Sequence, residues 1–179
     1  DQPNLRERVH AGVRLARVRA VKLVRLATNR EYRRALKSGV AASVEHSSIP
    51  FGPKIATVID LGASRGQFAL FAANRFPDAR IISFEPQPGP MAELRDLLGD
   101  RVETMPVAVG SEPGSATMNI SASDDSSSLL EIGADQQKVF PGTGKTGTIE
   151  VEVTTLDAAL PDPLARPESC LALHDLGPQ

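Results

Sequence analysis

Apolar runs alternate with helical patterns between residues 55 and 109. The runs are rich in β-branched residues, which is typical of strands buried on both faces, and the helical patterns end at Pro77 and Gly99. The pattern predicts a strand, a helix, a strand, a helix and a strand, over residues Ile55–Leu61, Gln67–Phe76, Arg80–Glu85, Met91–Leu98 and Val102–Val109. This alternation predicts an α/β fold whose parallel sheet carries helices on its faces.

The pattern after Gly110 is typical of hairpin strands. Ser111–Gly114 reads as a turn, and Ala116–Ser121 reads as a returning strand. Thr148–Thr154 alternates strictly between polar and apolar residues, which predicts a strand with one face in water. Cys170–Leu173 is apolar and predicts the beginning of one more buried strand.

The N-terminal segment has a helical period. Apolar residues recur every three to four positions from Leu5 to Ala27, and no proline occurs between Leu5 and Lys37. We predict a helix over this stretch, with a break near Thr28–Asn29 and a stop at Ser38–Gly39.

Charge divides the chain into two parts. The first 40 residues contain eleven Lys and Arg against three Asp and Glu, whereas the other 139 residues contain nine against nineteen. We therefore predict a basic helical segment, residues 1–48, and a folded domain, residues 49–179. The segment is interpreted as a helix packed on the domain with its basic face in water. The alternative is binding of nucleic acid or of a membrane surface through residues 5–37, and the scarcity of aromatic residues among the arginines argues against nucleic acid.

Composition narrows the class of protein. Hydrophobic residues make up 41% and charged residues 23% of the sequence, which is typical of a globular domain. No apolar stretch is long enough for a transmembrane helix, which needs about 18 residues or more. The single cysteine, Cys170, cannot form an internal disulfide, so we expect a cytoplasmic protein. One cysteine and three scattered histidines predict no structural zinc site.

The strongest chemical signal lies where the first predicted strand ends. Asp60-x-Gly62-x-x-x-Gly66 forms a strand-to-helix turn, and Glu85 ends the next strand. Glycines let the backbone approach a ligand closely, and the following helix offers unpaired N–H groups. An acid at the end of the second strand can accept hydrogen bonds from ribose hydroxyls. These residues predict a ligand that carries a ribose; a tight turn without a ligand would explain the glycines but not the two acids.

The same residues favour one ribose-containing cofactor over another. Residues 62–66 read Gly-Ala-Ser-Arg-Gly and lack the G-x-G-x-x-G pattern of dinucleotide sites. A carboxylate at Asp60 would repel a pyrophosphate but attract the ammonium and sulfonium charges of S-adenosylmethionine. We therefore predict S-adenosylmethionine and not a nicotinamide dinucleotide.

Several segments together resemble the FkbM-type methyltransferases. The first motif of that family, close to D-x-G-A-N-x-G-Q-F, resembles Val58–Phe68, with Ser64 where the family often has Asn. Four further segments match the family in order, namely Phe84–Pro86, Val107–Gly110, Asp125–Leu130 and Val151–Asp157. The resemblance, over residues 40–160, implies a Rossmann-like class I methyltransferase fold and methyl transfer, usually to a hydroxyl oxygen of a sugar or another small natural product.

The resemblance also implies a set of cofactor-binding residues. Asp60, Gly62 and Gly66 would line the methionine end, Glu85 would bind the ribose, and Ala108 would contact the adenine. Two neighbours within these motifs, Ala63 and Pro86, complete the predicted set. The sequence identifies no catalytic base.

The last ten residues depart from the family pattern. The family continues with a strand close to L-L-K-I-D-V-Q-G-x-E, but here Cys170–Leu173 is followed by His174-Asp175-Leu176 and the lysine and Q-G-x-E are absent. We interpret this tail as a truncation or a reading-frame change near Leu171. In the family's sheet the fourth strand lies beside the first, so loss of later strands would leave an unpaired apolar edge. An inactive cofactor-binding fragment is therefore an alternative to an active enzyme.

Three other groups of residues are candidate sites. Gly142–Thr146 resembles a phosphate-binding loop but has Val139 where that motif needs glycine, so we predict a turn. The Asp124–Asp125 pair is interpreted as a solvated loop and not a metal site. Glu45–His46 is interpreted as a surface or capping pair, with a role as substrate base as the alternative.

Overall fold

The computed structural model describes residues 20, 22–52, 54–121, 145–160 and 170–174, the last five and Lys145 by their backbone only. The predictions for residues 5–19, for Asp124–Asp125 and for most of Gly142–Thr146 lie outside this part of the chain. The chain divides into two units, Asp1–Pro50 and Phe51–Gln179.

The first unit contains a broken helix. Residues 22–28 are helical, and a second helix, α1, spans Arg30–Lys37. Asn29 separates them, because its extended backbone interrupts the helix and its side chain accepts hydrogen bonds from the first N–H groups of α1. Ser38 ends α1, and Gly39 follows with φ of 76°. The predicted break and the predicted stop are both confirmed.

The described part of the second unit contains seven strands, three α-helices and one short 3-10 helix, Gly99–Arg101. The strands are β1 Thr57–Leu61, β2 Arg80–Phe84, β3 Glu103–Met105, β4 Ala108–Val109, β5 Gly114–Ser121, β6 Lys145–Thr154 and β7 Cys170–His174. The helices are α2 Gln67–Arg75, α3 Pro88–Leu98 and α4 Leu156–Ala159. Four parallel strands form one sheet in the order β3-β2-β1-β7, and the others form a second sheet in the order β4-β6-β5. The α/β class is confirmed.

The central strands of the first sheet, β1 and β2, are buried except at Leu61 and Arg80. In the register of β1 and β2, Asp60 lies opposite Ser83 and Leu61 opposite Phe84, so both strands end at the same edge. Ile59, Ile82 and Phe84 form the core of this sheet. The helix α2 is buried along most of its length, from Phe68 to Ala73. Burial on both faces of the sheet explains why β1 and β2 have nearly continuous apolar sequences.

The prediction of one strand over Val102–Val109 is wrong. The segment divides into β3, which pairs with β2, and β4, which pairs with β6 in the second sheet. Pro106 stands between them, and proline has no N–H with which to continue a ladder of hydrogen bonds. The helix predicted from Met91 begins three residues earlier, at Pro88, because proline is favourable in the first turn of a helix.

The second sheet confirms the predicted alternation. In the antiparallel pair of β5 and β6, Met118 lies opposite Ile149. Ile149, Val151 and Val153 of β6 belong to the apolar cluster around Ala108, whereas the alternate residues Thr148, Glu150 and Glu152 are exposed. One face of β6 is therefore wet and the other is packed, as the period of two requires.

The strand β7 lies beside β1 and runs parallel to it. This is the position expected for the fourth strand of the sheet, and Cys170 lies opposite Thr57. Among the described strands, β7 has a neighbour on one side only. None of the helices in the described ranges is both long and apolar enough to cross a membrane.

Candidate functional site

A glycine turn connects β1 to α2 at the carboxyl edge of the first sheet. The N–H groups of Gly62 and Ala63 both donate to the carbonyl oxygen of Phe84, each at 2.9 Å. These bonds join the turn to the end of β2. Gly62 has φ of 79°, in the left-handed region that favours glycine.

The end of the turn also requires glycine. Gly66 caps the N-terminus of α2 with φ of 87°. A Cβ atom at this position would lie 3.1 Å from Cγ of Leu94 in α3. Both the backbone conformation and the close contact therefore exclude a larger residue without local rearrangement. Ser64, between the glycines, has φ of 47°, which non-glycine residues rarely adopt.

Glu85 connects the turn to the next two elements. Its side chain is buried, and one carboxylate oxygen, Oε2, accepts a hydrogen bond from the N–H of Ser64 at 2.9 Å. The other oxygen, Oε1, accepts from the N–H of Gln87, just before α3, at 2.7 Å. The backbone N–H of Glu85 donates to the carbonyl of Met105 at the end of β3. The residue therefore joins the turn, α3 and β3.

Burial dominates the ionisation of Glu85. Removal of the carboxylate from water raises its pKa above the ordinary value, although the backbone N–H groups of Gln87 and Ser64 and the side chain of Gln87 favour the charged form. These hydrogen bonds therefore do not fully compensate the cost of desolvation. A carboxyl group in this state at the end of a strand is characteristic of binding and catalytic sites.

Asp60 lies at the same edge of the sheet, one residue before the end of β1. It is only 1% exposed, and the hydroxyl of Ser83 on β2 donates to its Oδ2 at 3.4 Å. Two buried carboxyl groups thus stand near the ends of adjacent parallel strands, with the glycine turn following the first. The register of β1 and β2 alone brings Asp60 and Glu85 to this common edge.

The remaining residues of the predicted set fall in two places. Ala63 is buried within the turn, and Pro86 follows Glu85 and is partly exposed. Ala108, in contrast, lies in β4 of the second sheet and packs with Met118 and Val151. Six of the seven predicted cofactor-binding residues therefore belong to one edge, and the contact of Ala108 with a ligand stays a prediction.

Comparison with known families identifies the domain. A family model described as the methyltransferase FkbM domain matches residues 60–168, more than half of the chain. The chain belongs to the FkbM methyltransferase family. None of the curated proteins compared with it matches. The match begins at Asp60 and includes the whole turn, Glu85 and Ala108.

Contacts around the turn of this FkbM methyltransferase domain include residues that the sequence did not indicate. Arg65 Nε donates to Glu93 Oε2 of α3 at 2.5 Å. Gln87 contributes a backbone N–H to Glu85, and Leu94 contributes an apolar side chain beside Gly66. Most of the residues that contact the turn are 21 to 28 positions away from it in the sequence, and Gln87 acts through its backbone. No local sequence pattern therefore indicates these contacts.

Glu45 and His46, the other candidate pair that the structure describes, lie in the N-terminal unit. Glu45 forms an ion pair with Lys22 at 3.0 Å, and His46 Nδ1 lies 3.1 Å from the carbonyl oxygen of Ser43. Both contacts are local to that unit, as expected of a surface or capping pair. Within the described ranges, no group of His, Cys, Asp and Glu could hold a metal ion.

Proposed function

We propose that this domain is an S-adenosylmethionine-dependent methyltransferase that methylates a hydroxyl oxygen of a sugar or another small natural product. The observation that carries the proposal is the pair of buried carboxyl groups, Asp60 and Glu85, at one edge of the sheet beside a glycine turn. Membership of the FkbM family supports the methyl-transfer chemistry.

The chemistry of the donor set supports this cofactor over a dinucleotide. Carboxylates accept hydrogen bonds from hydroxyls and attract cations, but they repel phosphates. Glu85 already accepts from two backbone N–H groups and from the side chain of Gln87, and because a carboxylate has about four acceptor sites, it can still accept from a ribose hydroxyl. When bound, S-adenosylmethionine supplies an electrophilic methyl group on a positively charged sulfonium. Asp60 would balance the positive charge at the methionine end.

The protein's own contribution would be position and charge. Gly62, Ala63 and Gly66 allow the backbone to approach the methionine part, and Pro86 and Ala108 would lie along the adenosine. Transfer to a hydroxyl needs the acceptor oxygen held in line with the methyl group and a group to take its proton. None of the described residues is assigned as the base that takes this proton. The mechanism that we propose therefore rests on the positioning of the acceptor oxygen.

Calorimetric titration of the purified chain with S-adenosylmethionine tests the cofactor. We expect binding of S-adenosylmethionine and none of NAD. Asp60→Asn keeps the shape of the side chain but removes its charge, and should weaken binding by about tenfold or more. Asp78→Asn is the matched control, because Asp78 is exposed and precedes β2 at the opposite edge of the sheet. Equal affinities of the two variants would contradict the assigned role of Asp60.

Turnover is measured separately from binding. The chain is incubated with S-adenosylmethionine that carries a labelled methyl group and with a panel of sugars and hydroxylated natural products. Transfer of label to an acceptor hydroxyl supports the complete proposal. Binding without transfer to any acceptor would support the alternative of a cofactor-binding domain without activity, and absence of binding would reject both.

A further inference from the structure

Three consecutive residues of the turn are held by one neighbouring segment. The N–H of Ser64 donates to Glu85, the guanidinium of Arg65 pairs with Glu93, and the side chain of Leu94 lies where a Cβ atom on Gly66 would meet it. The three partners lie in the segment that leaves β2 and forms α3. Each interaction differs in kind, since the first is a hydrogen bond to a buried carboxyl group, the second an ion pair and the third an apolar side chain beside a glycine.

We propose that Glu85 and Glu93 are positioning residues that fix the turn in its ligand-binding conformation before any ligand arrives. The proposal deepens the proposed function, since it concerns the same turn. Ser64 has φ of 47°, an unfavourable conformation for serine that the surrounding contacts must maintain. The hydrogen bond from its own N–H to the buried Glu85 supplies that restraint at the strained residue itself.

Pre-organisation of this kind affects affinity. A turn that is already in place loses little conformational freedom when a ligand binds, whereas a mobile turn must be ordered at the expense of affinity. Glu93 reaches the turn only through Arg65, so its effect on binding would be indirect. Loss of the Arg65–Glu93 pair should therefore weaken ligand binding, although Glu93 acts on the turn through Arg65 and not on the ligand directly.

The test is amide hydrogen exchange in the ligand-free protein. The N–H groups of Ser64 and Gln87 donate to different oxygens of Glu85, so Glu85→Gln, which replaces one oxygen by an NH2 group, sets a donor against one of them. We expect exchange at one or both of these amides to accelerate by about tenfold or more, with the amides of β2 unchanged. Unchanged exchange at both Ser64 and Gln87, or equal acceleration throughout β2, would overturn the proposal.

Glu93→Gln tests the second contact. Because this pair is partly exposed, we expect a smaller acceleration at residues 64–66, about twofold to threefold. The matched control is Glu103→Gln, which removes a similar exposed pair with Arg80 from the far end of β3 and should leave the turn unaffected. The double variant that swaps the two charges, Arg65→Glu with Glu93→Arg, should restore slow hydrogen exchange at residues 64–66. Equal effects of the Glu93 and Glu103 variants would contradict the role of Glu93.

The two proposals can fail independently. Hydrogen exchange at the turn is measured without ligand, so it does not depend on the identity of the cofactor. Titration with S-adenosylmethionine measures the cofactor directly. If the turn loosens as expected but the parent chain does not bind S-adenosylmethionine, the positioning role stands and the cofactor is wrong. If Glu93→Gln loosens the turn but leaves the affinity for S-adenosylmethionine unchanged, the positioning role is refuted.

Discussion

Gly66 is the residue of the turn for which the cost of a substitution can be derived most directly. Alanine at this position must adopt φ near 87°, at a cost of about 1–2 kcal/mol for an L-residue. Its Cβ would lie 3.1 Å from Leu94 Cγ, closer than the optimum of about 3.5–4.0 Å between carbon atoms. Relief of such crowding in a packed core costs about 1–3 kcal/mol. The lower entropy of alanine in the unfolded chain offsets about 0.4–1 kcal/mol of this.

We therefore expect Gly66→Ala to lower the free energy of unfolding by about 1.5–4 kcal/mol. Urea unfolding followed by far-ultraviolet circular dichroism measures this difference as a shift of the midpoint. Gly114→Ala is the control, because Gly114 is exposed at the start of β5, a Cβ atom added there would meet no atom within 4 Å beyond its chain neighbours, and its φ is not positive. That variant should be as stable as the parent or slightly more stable, since alanine lowers the entropy of the unfolded chain.

A double-mutant cycle separates the two parts of the cost. Leu94→Ala removes the Cγ atom that a new Cβ at position 66 would meet, and is itself destabilising because Leu94 is 1% exposed. In that background, Gly66→Ala should retain only the backbone part of its cost, so the coupling should be about 1 kcal/mol or more. A coupling of zero would refute the steric part of the reasoning. A Gly66→Ala variant as stable as the parent would refute all of it.

Three further predictions concern other positions. Gly110→Ala would place a Cβ 2.7 Å from Cγ1 of the stiff Val153 side chain and should cost about 1–3 kcal/mol in urea unfolding. Glu103→Gln should change stability by less than about 1 kcal/mol at neutral pH despite two hydrogen bonds from Arg80, because the pair is exposed. Arg80 lowers the pKa of Glu103, so this small contribution should disappear as the pH falls through that lowered pKa. Burial raises the pKa of Glu85, so between the ordinary and the raised pKa the folded chain binds more protons than the unfolded chain. The free energy of unfolding should therefore fall as the pH rises across that window. Unfolding measured at several pH values should show this slope in the parent, and Glu85→Gln should abolish it.

The sequence predicted the first βαβ unit well because its physical signals are local. Strands β1 and β2 are buried on both faces over most of their length, so most of their residues are apolar regardless of distant partners. Gly62 and Gly66 have positive φ angles, which favour glycine, so the sequence itself indicates the turn. The strand order could be anticipated only for β7 beside β1, and that expectation came from the family resemblance.

Other features were harder to predict for different reasons. Pro106 was visible in the sequence as the point where β3 ends, but apolar residues continue on both sides of it and suggested one strand. The division of this segment between two sheets depends on β6, whose residues lie some 40 positions further along. The pairing of Arg65 with Glu93 depends on how α3 packs, and the spacing of charges along the chain contains no trace of it.

The ionisation of Glu85 bears on why the residue is there. Ionisation of Glu85 costs stability, because burial raises its pKa further than its hydrogen bonds from Ser64 and Gln87 lower it. A glutamine of the same size would avoid that cost but would set a second donor against the N–H of Ser64 or Gln87. What a carboxylate offers, and an amide does not, is an acceptor on both oxygens, which serves Ser64, Gln87 and a ligand hydroxyl together. A carboxyl group kept at the carboxyl edge of parallel strands, despite the cost of its desolvation, is therefore the feature that connects this fold to a binding role.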